Sequence, residues 1–263
     1  MRSRVAWKRR IGQLYALMRA RDLQRKLVLV YHSIGGGSES NDIETFRGHI
    51  HAIAGIGRLR SLPKLLASTP NNGVDVAITF DDGYATLRDR ASTILADFGC
   101  AATVFLNAGE IADVERRFSR AEKGYYPDEQ FLTWRDVDAL IAAGWQIGSH
   151  GVGHVDLTNA DTATIKNELS ASKLMIEQRL GVACDMFAYT WGRSNSRVRA
   201  EVRSAGYRYG FVGDHGRLTK KSDPFALSRI NVAKEYSRDD LTAILRGDWD
   251  YLHWVLRTKA VMG

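Results

Sequence analysis

Only two cysteines, Cys100 and Cys184, occur in the 263 residues. So few argue against a disulfide framework, and neither stands in a closely spaced pair of the kind that holds zinc. Cys100, in the apolar context FGCAATVFL, reads as a small buried hydrophobe. Long hydrophobic runs are missing as well. The longest early run, LYALM, falls short of the ~7–15 residues of a secretory core, and no stretch approaches the ~20 residues of a membrane-spanning helix. The expectation is a cytoplasmic protein without a signal peptide. No internal repeat or low-complexity tract is visible.

Outside the N-terminus the chain also lacks an excess of positive charge. The net charge is +7, but residues 1–26 hold Arg2, Arg4, Lys8, Arg9, Arg10, Arg19, Arg21, Arg25 and Lys26 against Asp22 alone, which leaves the remainder near −1. That distribution argues against a nucleic-acid groove across the fold, because phosphate binding gathers Lys and Arg on the folded surface. The same segment spaces Trp7, Ile11, Leu14, Tyr15 and Met18 as a helix would. It is a candidate basic amphipathic helix for peripheral association with the inner membrane; a solvated arm or a helix packed on its own domain are the alternatives. The division expected is a basic segment at 1–26 and one catalytic-size domain at 27–263.

What is present is an ordinary globular composition, 44% hydrophobic and 25% charged, sufficient for one large core. Short apolar runs at 27–31, 76–80, 102–106, 145–149, 186–190, 209–213 and 227–232 read as buried strands separated by helical patterns. TLRDRASTILADFG turns Leu87, Ala91, Ile94 and Leu95 to one face. TWRDVDALIAAG opens on the cap-like Thr133 with Asp136 three residues on. TATIKNELSASKLMIEQRLG places Ile165, Leu169, Ile176 and Leu180 inward and stops at Gly181. About seven such units predict an α/β fold, a distorted (β/α)7-type barrel of parallel strands. The polar stretch 115–130 reads as a surface insertion beside the site.

In such folds the chemistry sits at the C-terminal strand ends. Asp81 and Asp82 follow VAITF directly, and His150 and His154, in SHGVGH, follow WQIG. One carboxylate of the pair can hold a metal while its neighbour takes a proton. Two histidines plus one carboxylate with open positions suit Zn²⁺ or a similar divalent ion, with Ni²⁺, Co²⁺ or Fe²⁺ as alternatives. His32 ends the first strand on the same rim. His49 and His51 read as structural, and His215 and His253 as surface residues.

AITFDDGYATLRDRASTILADFGCAATVFL followed by GWQIGSHGVGHVDLT resembles the polysaccharide deacetylase family, the metal-dependent N-deacetylases of glycans containing N-acetylglucosamine, with the NodB-homology fold. The leading VLVYHSIG and the later FAYTWGRSN are similar to its permuted subgroup, that of the poly-N-acetylglucosamine deacetylases. The resemblance implies Asp81 as general base, Asp82, His150 and His154 as ligands of one divalent metal, and His32 as the acid that protonates the leaving amine. It places Tyr189 and Trp191 along the substrate, with the Trp191 N–H on the oxyanion, Tyr84 near them and Arg229 orienting the base. Asp156 and Leu157 complete the histidine motif as supporting residues. The family pattern carries proline and tyrosine where this chain has Thr190 and Trp191. A metal phosphoesterase or a catalytically silent carbohydrate-binding relative are the rival readings.

Overall fold

The computed structural model describes residues 2–18, 24–69, 72–114 and 117–255. A first helix, α1 (Arg2–Leu17), precedes β1 (Gln24–Tyr31), α2 (Ile43–Ile56), β2 (Arg58–Leu59), α3 (Leu62–Ala67) and β3 (Gly73–Phe80). A π-turn leads into α4 (Ser92–Ala96), and then come β4 (Thr103–Leu106), α5 (Trp134–Ala142), β5 (Gln146–Ser149), α6 (Thr162–Leu180) and β6 (Met186–Ala188). The chain finishes with α7 (Ser196–Ser204), β7 (Tyr209–Val212), β8 (Leu227–Ser228), β9 (Ile230–Asn231) and α8 (Arg238–Arg246). The caps are the ones the residue types dictate: Thr133 with Asp136 and Ser237 with Asp240 form capping boxes, and Gly181 ends α6 in the left-handed region.

Every strand pair is parallel, in the order β8-β7-β6-β5-β4-β3-β1-β9 with β2 beside β3. The result is a nearly closed barrel of eight parallel strands wrapped by helices. Its seam explains why the seventh apolar run of the sequence is two strands. Leu227 and Ser228 pair with β7, Ile230 and Asn231 pair with β1, and Arg229 stands at the break between them. One short segment thus spans both edges of the sheet, and its middle side chain, Arg229, turns into the barrel toward Asp81 and the Phe105 ring.

Alternation along the strands splits the core in two. Val28, Ala77, Phe105, Met186, Phe211 and Leu227 meet inside the barrel, where Leu62 and Leu65 of α3 plug the N-terminal mouth. The opposite faces carry Leu29, Ile78, Val104 and Phe187 out against the helices. His49 is among the outer layer as a buried structural residue, its ring nitrogens bonded to the Tyr31 hydroxyl and the Tyr236 carbonyl.

The N-terminal segment is divided differently from the sequence boundary at 26. Arg25 and Lys26 are buried members of β1, the first forming a fork with Asp250 at 2.7 and 2.8 Å and the second donating to the Ser68 carbonyl. α1 packs on its own domain: Val5 is buried, Arg9 clasps Asp240, Lys8 donates to the Tyr236 hydroxyl, and Gly12 lies against the Trp249 indole. Ile11 and Tyr15 join that contact, whereas Leu14, Leu17 and Met18 stay exposed with half of Trp7, so the single apolar face expected of this helix is split. Residues 19–23 lie outside the described residues. No helix among the described residues is long and apolar enough to cross a membrane. His215 departs from its reading as a surface residue. It is buried, and its backbone carbonyl accepts from His253.

Candidate active site

Five strand ends and the seam deliver side chains to one rim. β1 supplies His32, β3 supplies Asp81 and Asp82, β4 supplies Asn107, β5 leads to His150 and His154, and β6 leads to Thr190 and Trp191; Arg229 enters from the seam. The backbone is bent to achieve this. Among the described residues, four non-glycine positions have φ in the left-handed region, and three of them are Asp82 (70°), His154 (61°) and Trp191 (60°). Each such position costs about 1 kcal/mol or more, and strain of this kind concentrates where function holds the chain.

Asp82, His150 and His154 form a buried group whose ligand atoms all lie within 4.8 Å of one another. Asp82 Oδ1 is 3.7 Å from His150 Nε2 and 3.6 Å from His154 Nε2. Two donors ~2.1 Å from one ion at a tetrahedral angle stand ~3.4 Å apart, so the spacing fits a divalent metal. The tautomers fit as well. His150 Nδ1 lies 2.7 Å from the Ala188 carbonyl and His154 Nδ1 lies 2.8 Å from the Lys123 carbonyl. A carbonyl only accepts, so each Nδ1 carries the hydrogen and each Nε2 offers its lone pair to the centre. Burial pushes the His150 pKa down against the pull of Asp81 and Asp82, which keeps that ring neutral.

Asp81 stands beside this group. Both its oxygens are taken by the Arg229 fork, at 2.6 and 2.8 Å, and Oδ2 is 4.0 Å from His150 Nε2. Burial alone would raise its carboxyl. The Arg229 guanidinium, with His150 and the fork hydrogen bonds, outweighs burial and holds the carboxyl down at about 2. The aspartate is therefore a fixed carboxylate at neutral pH.

His32 is half-buried and stacks on Tyr126, ring centroids 5.2 Å apart. Tyr126 in turn donates its N–H to the Tyr84 hydroxyl at 2.7 Å. Tyr84 is fully buried beneath the rim, and burial, with Asp82 nearby, pushes its hydroxyl pKa up. Trp191 is half-exposed, its indole 5.0 Å from the His154 ring and in contact with Gly124, where a Cβ would fall 2.1 Å from the indole. Thr190 is anchored through its hydroxyl to the Val155 carbonyl, and Asp156 caps the following turn at Thr158 and pairs with Arg193.

Tyr189 does not line the site. Its ring is buried in the outer layer against Phe187, and its hydroxyl donates to the Phe225 carbonyl at 2.8 Å, because one residue of strand alternation turns it away from the barrel interior. Several contributors belong to no motif of the sequence. Asn107 Nδ2 donates to Asp82 Oδ1 at 3.0 Å. Glu168, from α6, accepts from Val152 N–H and Gly153 N–H and so shapes the turn between the two histidines. Tyr125 stacks on His154. Only Asn107 had a signal, its place directly after the strand ATVFL.

Comparison with known proteins agrees with this geometry. A sequence model of the family described as polysaccharide deacetylase matches residues 68–210, more than half of the chain. The chain is 24% identical over 212 residues to the Bacillus subtilis protein YxkH, whose name describes a polysaccharide deacetylase, with 78% of this chain and 71% of that one covered. It is 24% identical over 187 residues to the poly-beta-1,6-N-acetyl-D-glucosamine N-deacetylase of Staphylococcus aureus, and there the match spans 68% of this chain and 59% of the relative's length. Among solved structures, IcaB from Ammonifex degensii has the same fold, with a TM-score of 0.71 at 18% identity over 85% of this chain and 97% of that one. With Asp82, His150 and His154 all inside the matched span, the chain belongs to the polysaccharide deacetylase family.

Proposed function

We propose that this protein removes N-acetyl groups from an N-acetylglucosamine-containing glycan or lipid-linked sugar by hydrolysis of the amide, releasing acetate and a free amino sugar. The observation that carries the reading is a carboxylate fixed by Arg229 beside the buried Asp82–His150–His154 group. The relative from Staphylococcus aureus supports the choice of sugar. A divalent ion held by Asp82, His150 and His154, for which this donor set favours Zn²⁺, would supply Lewis-acid polarisation of the amide carbonyl. Asp81 accepts the proton of the attacking water, and its fork to Arg229 keeps it oriented for that transfer. The Trp191 N–H stabilises the oxyanion. Breakdown needs a proton on nitrogen, since an amide anion is a very poor leaving group, and His32, at the end of the neighbouring strand β1, is the acid that delivers it. The half-exposed indole of Trp191 offers an apolar face to the sugar.

Asp81→Asn is the direct test. The turnover of acetylated oligosaccharide should fall by about 10²–10⁴-fold while one metal per chain is retained; unchanged turnover would remove Asp81 from the role of base. The exposed Leu14 and Leu17 on the outward face of α1, with Arg10 on that face and the exposed Met18 directly after the helix, support a peripheral contact of the N-terminal segment with an anionic lipid surface.

A further inference from the structure

The turn that follows β4 touches the metal-binding group by three routes, although no sequence motif includes it. Asn107 bonds to the ligand Asp82 at 3.0 Å. The next two backbone amides, of Ala108 and Gly109, donate to the carbonyls of Gly151 and Val152 in the turn that carries the histidines, at 2.9 and 3.1 Å. Gly109 comes so close that a Cβ there would fall 2.7 Å from the Val152 oxygen. The last residue, Glu110, is 4% exposed and pairs with Lys123 at 2.8 Å and with Arg120 at 3.3 Å.

Lys123 connects that ion pair to His154. Its side chain is held by Glu110, and its own backbone carbonyl accepts the Nδ1–H of His154 at 2.8 Å. The 3₁₀ turn Ala121–Lys123 belongs to the long insertion between β4 and α5. Its backbone bonds, Lys123 to Arg120 and Gly124 to Ala121, stay within the turn and do not fix its height over the site. Among the described residues, the Glu110 ion pair joins this turn to the end of β4, while Arg117, earlier in the insertion, donates to the Gly109 carbonyl at 2.9 Å and Gly124 rests on the Trp191 indole. His150 has no such dependence, because its carbonyl partner, Ala188, is a barrel-strand residue.

We infer that the Asn107–Glu110 turn is a positioning element for the metal-binding group, in which Asn107 orients Asp82 and Glu110 sets His154 through Lys123. Neither residue touches the substrate. The inference rests on the reading of Asp82, His150 and His154 as a metal site, and it gives the otherwise irregular insertion a task. The insertion completes the orientation of one ligand, while the barrel alone orients the other. Partners that orient a metal ligand are worth about 10–100-fold in metal affinity, so the effect is measurable even if the fold is untouched.

The test is a Zn²⁺ titration of the metal-free protein against a competing chromogenic chelator, together with ¹⁵N-imidazole NMR of the same samples and their melting temperatures. Glu110→Ala and Lys123→Met should each weaken Zn²⁺ by about 10–100-fold. The double variant should be no weaker than either single one, because both remove one link. Glu110→Gln, which keeps an acceptor for Lys123, should recover part of the loss. In the metal-free spectra of both single variants His154 should lose its fixed Nδ1–H tautomer while His150 keeps its own. Asn107→Ala should weaken Zn²⁺ with both tautomers intact. Affinities within about twofold of the parent's, or equal changes at both histidines, would overturn the inference and leave the proposed function standing. A parent protein that binds no Zn²⁺ would overturn the metal reading and this inference with it.

Discussion

Replacing Arg229 by Met deletes the cation while keeping a side chain of similar reach, and the burial of the pair sets the size of the effect. Asp81 and Arg229 are 4% and 1% exposed, so bulk water makes up little of the lost fork. Removing one partner of a buried pair leaves a stranded charge and costs ~3–5 kcal/mol, which is a large fraction of the ~5–15 kcal/mol stability of a typical domain. Asp81→Asn strands the guanidinium instead and should cost a similar amount. The double variant removes both charges, and its penalty should fall short of the sum by at least ~2 kcal/mol. The pH dependence has a definite sign. The Asp81 carboxyl is held at about 2 in the folded protein, below its unfolded value near 3.9. Its contribution, about 2.5 kcal/mol at ~1.4 kcal/mol per unit, is therefore complete above about pH 4 and lost as pH falls toward 2. Urea unfolding of the four proteins in chelator, followed by tryptophan fluorescence at pH 7 and pH 3, measures all of this. A penalty for Arg229→Met below ~1 kcal/mol, strict additivity, or no shrinkage of the penalty at pH 3 would refute the reasoning.

Two further outcomes concern residues away from the site. Burial lowers the His215 pKa to about 4 against the pull of Asp250, with Lys8, Arg25 and His253 adding to the fall. The unfolded chain therefore binds the proton first as pH drops below about 6.5, and stability should decline by ~2 kcal/mol between pH 7 and pH 5; a His215→Asn variant with the same slope would contradict the assignment. Vesicles with about 30% anionic lipid should sediment the protein at low salt and release it at high salt, and Leu14→Asp with Leu17→Asp should abolish the binding. Equal sedimentation of parent and variant would rule out the outward face of α1 as the contact.

Much of the barrel could be read from the chain because each inner strand is a short continuous apolar run that ends on its functional residue. VAITF delivers Asp81 and Asp82, and WQIGS delivers His150, since parallel strands buried on both faces keep that pattern. Failures occurred where a side chain's direction depends on partners distant in sequence. Tyr189 lies next to the site along the chain but one step of the pleat away from it in space. Arg229 sits within an apolar run, and nothing local reveals that the run breaks there to close the seam. Arg25 and Lys26 read as part of a basic tail because Asp250, which takes up the first of those charges, lies more than two hundred residues on. Glu168 looks like any acidic residue of a surface helix, and Glu110 and Lys123 meet only through the loop geometry of the insertion.

Acetate release tests the central claim most directly. The protein is stripped with chelator, dialysed, and assayed on oligomers of β-1,6-linked N-acetylglucosamine and on lipid-linked N-acetyl sugars, before and after stoichiometric Zn²⁺ is restored. The account predicts no release from the stripped protein, recovery with one ion per chain, and no recovery in His150→Ala or His154→Ala. Release that is indifferent to the chelator, or full recovery in either histidine variant, would contradict a metal-dependent deacetylase built on Asp82, His150 and His154.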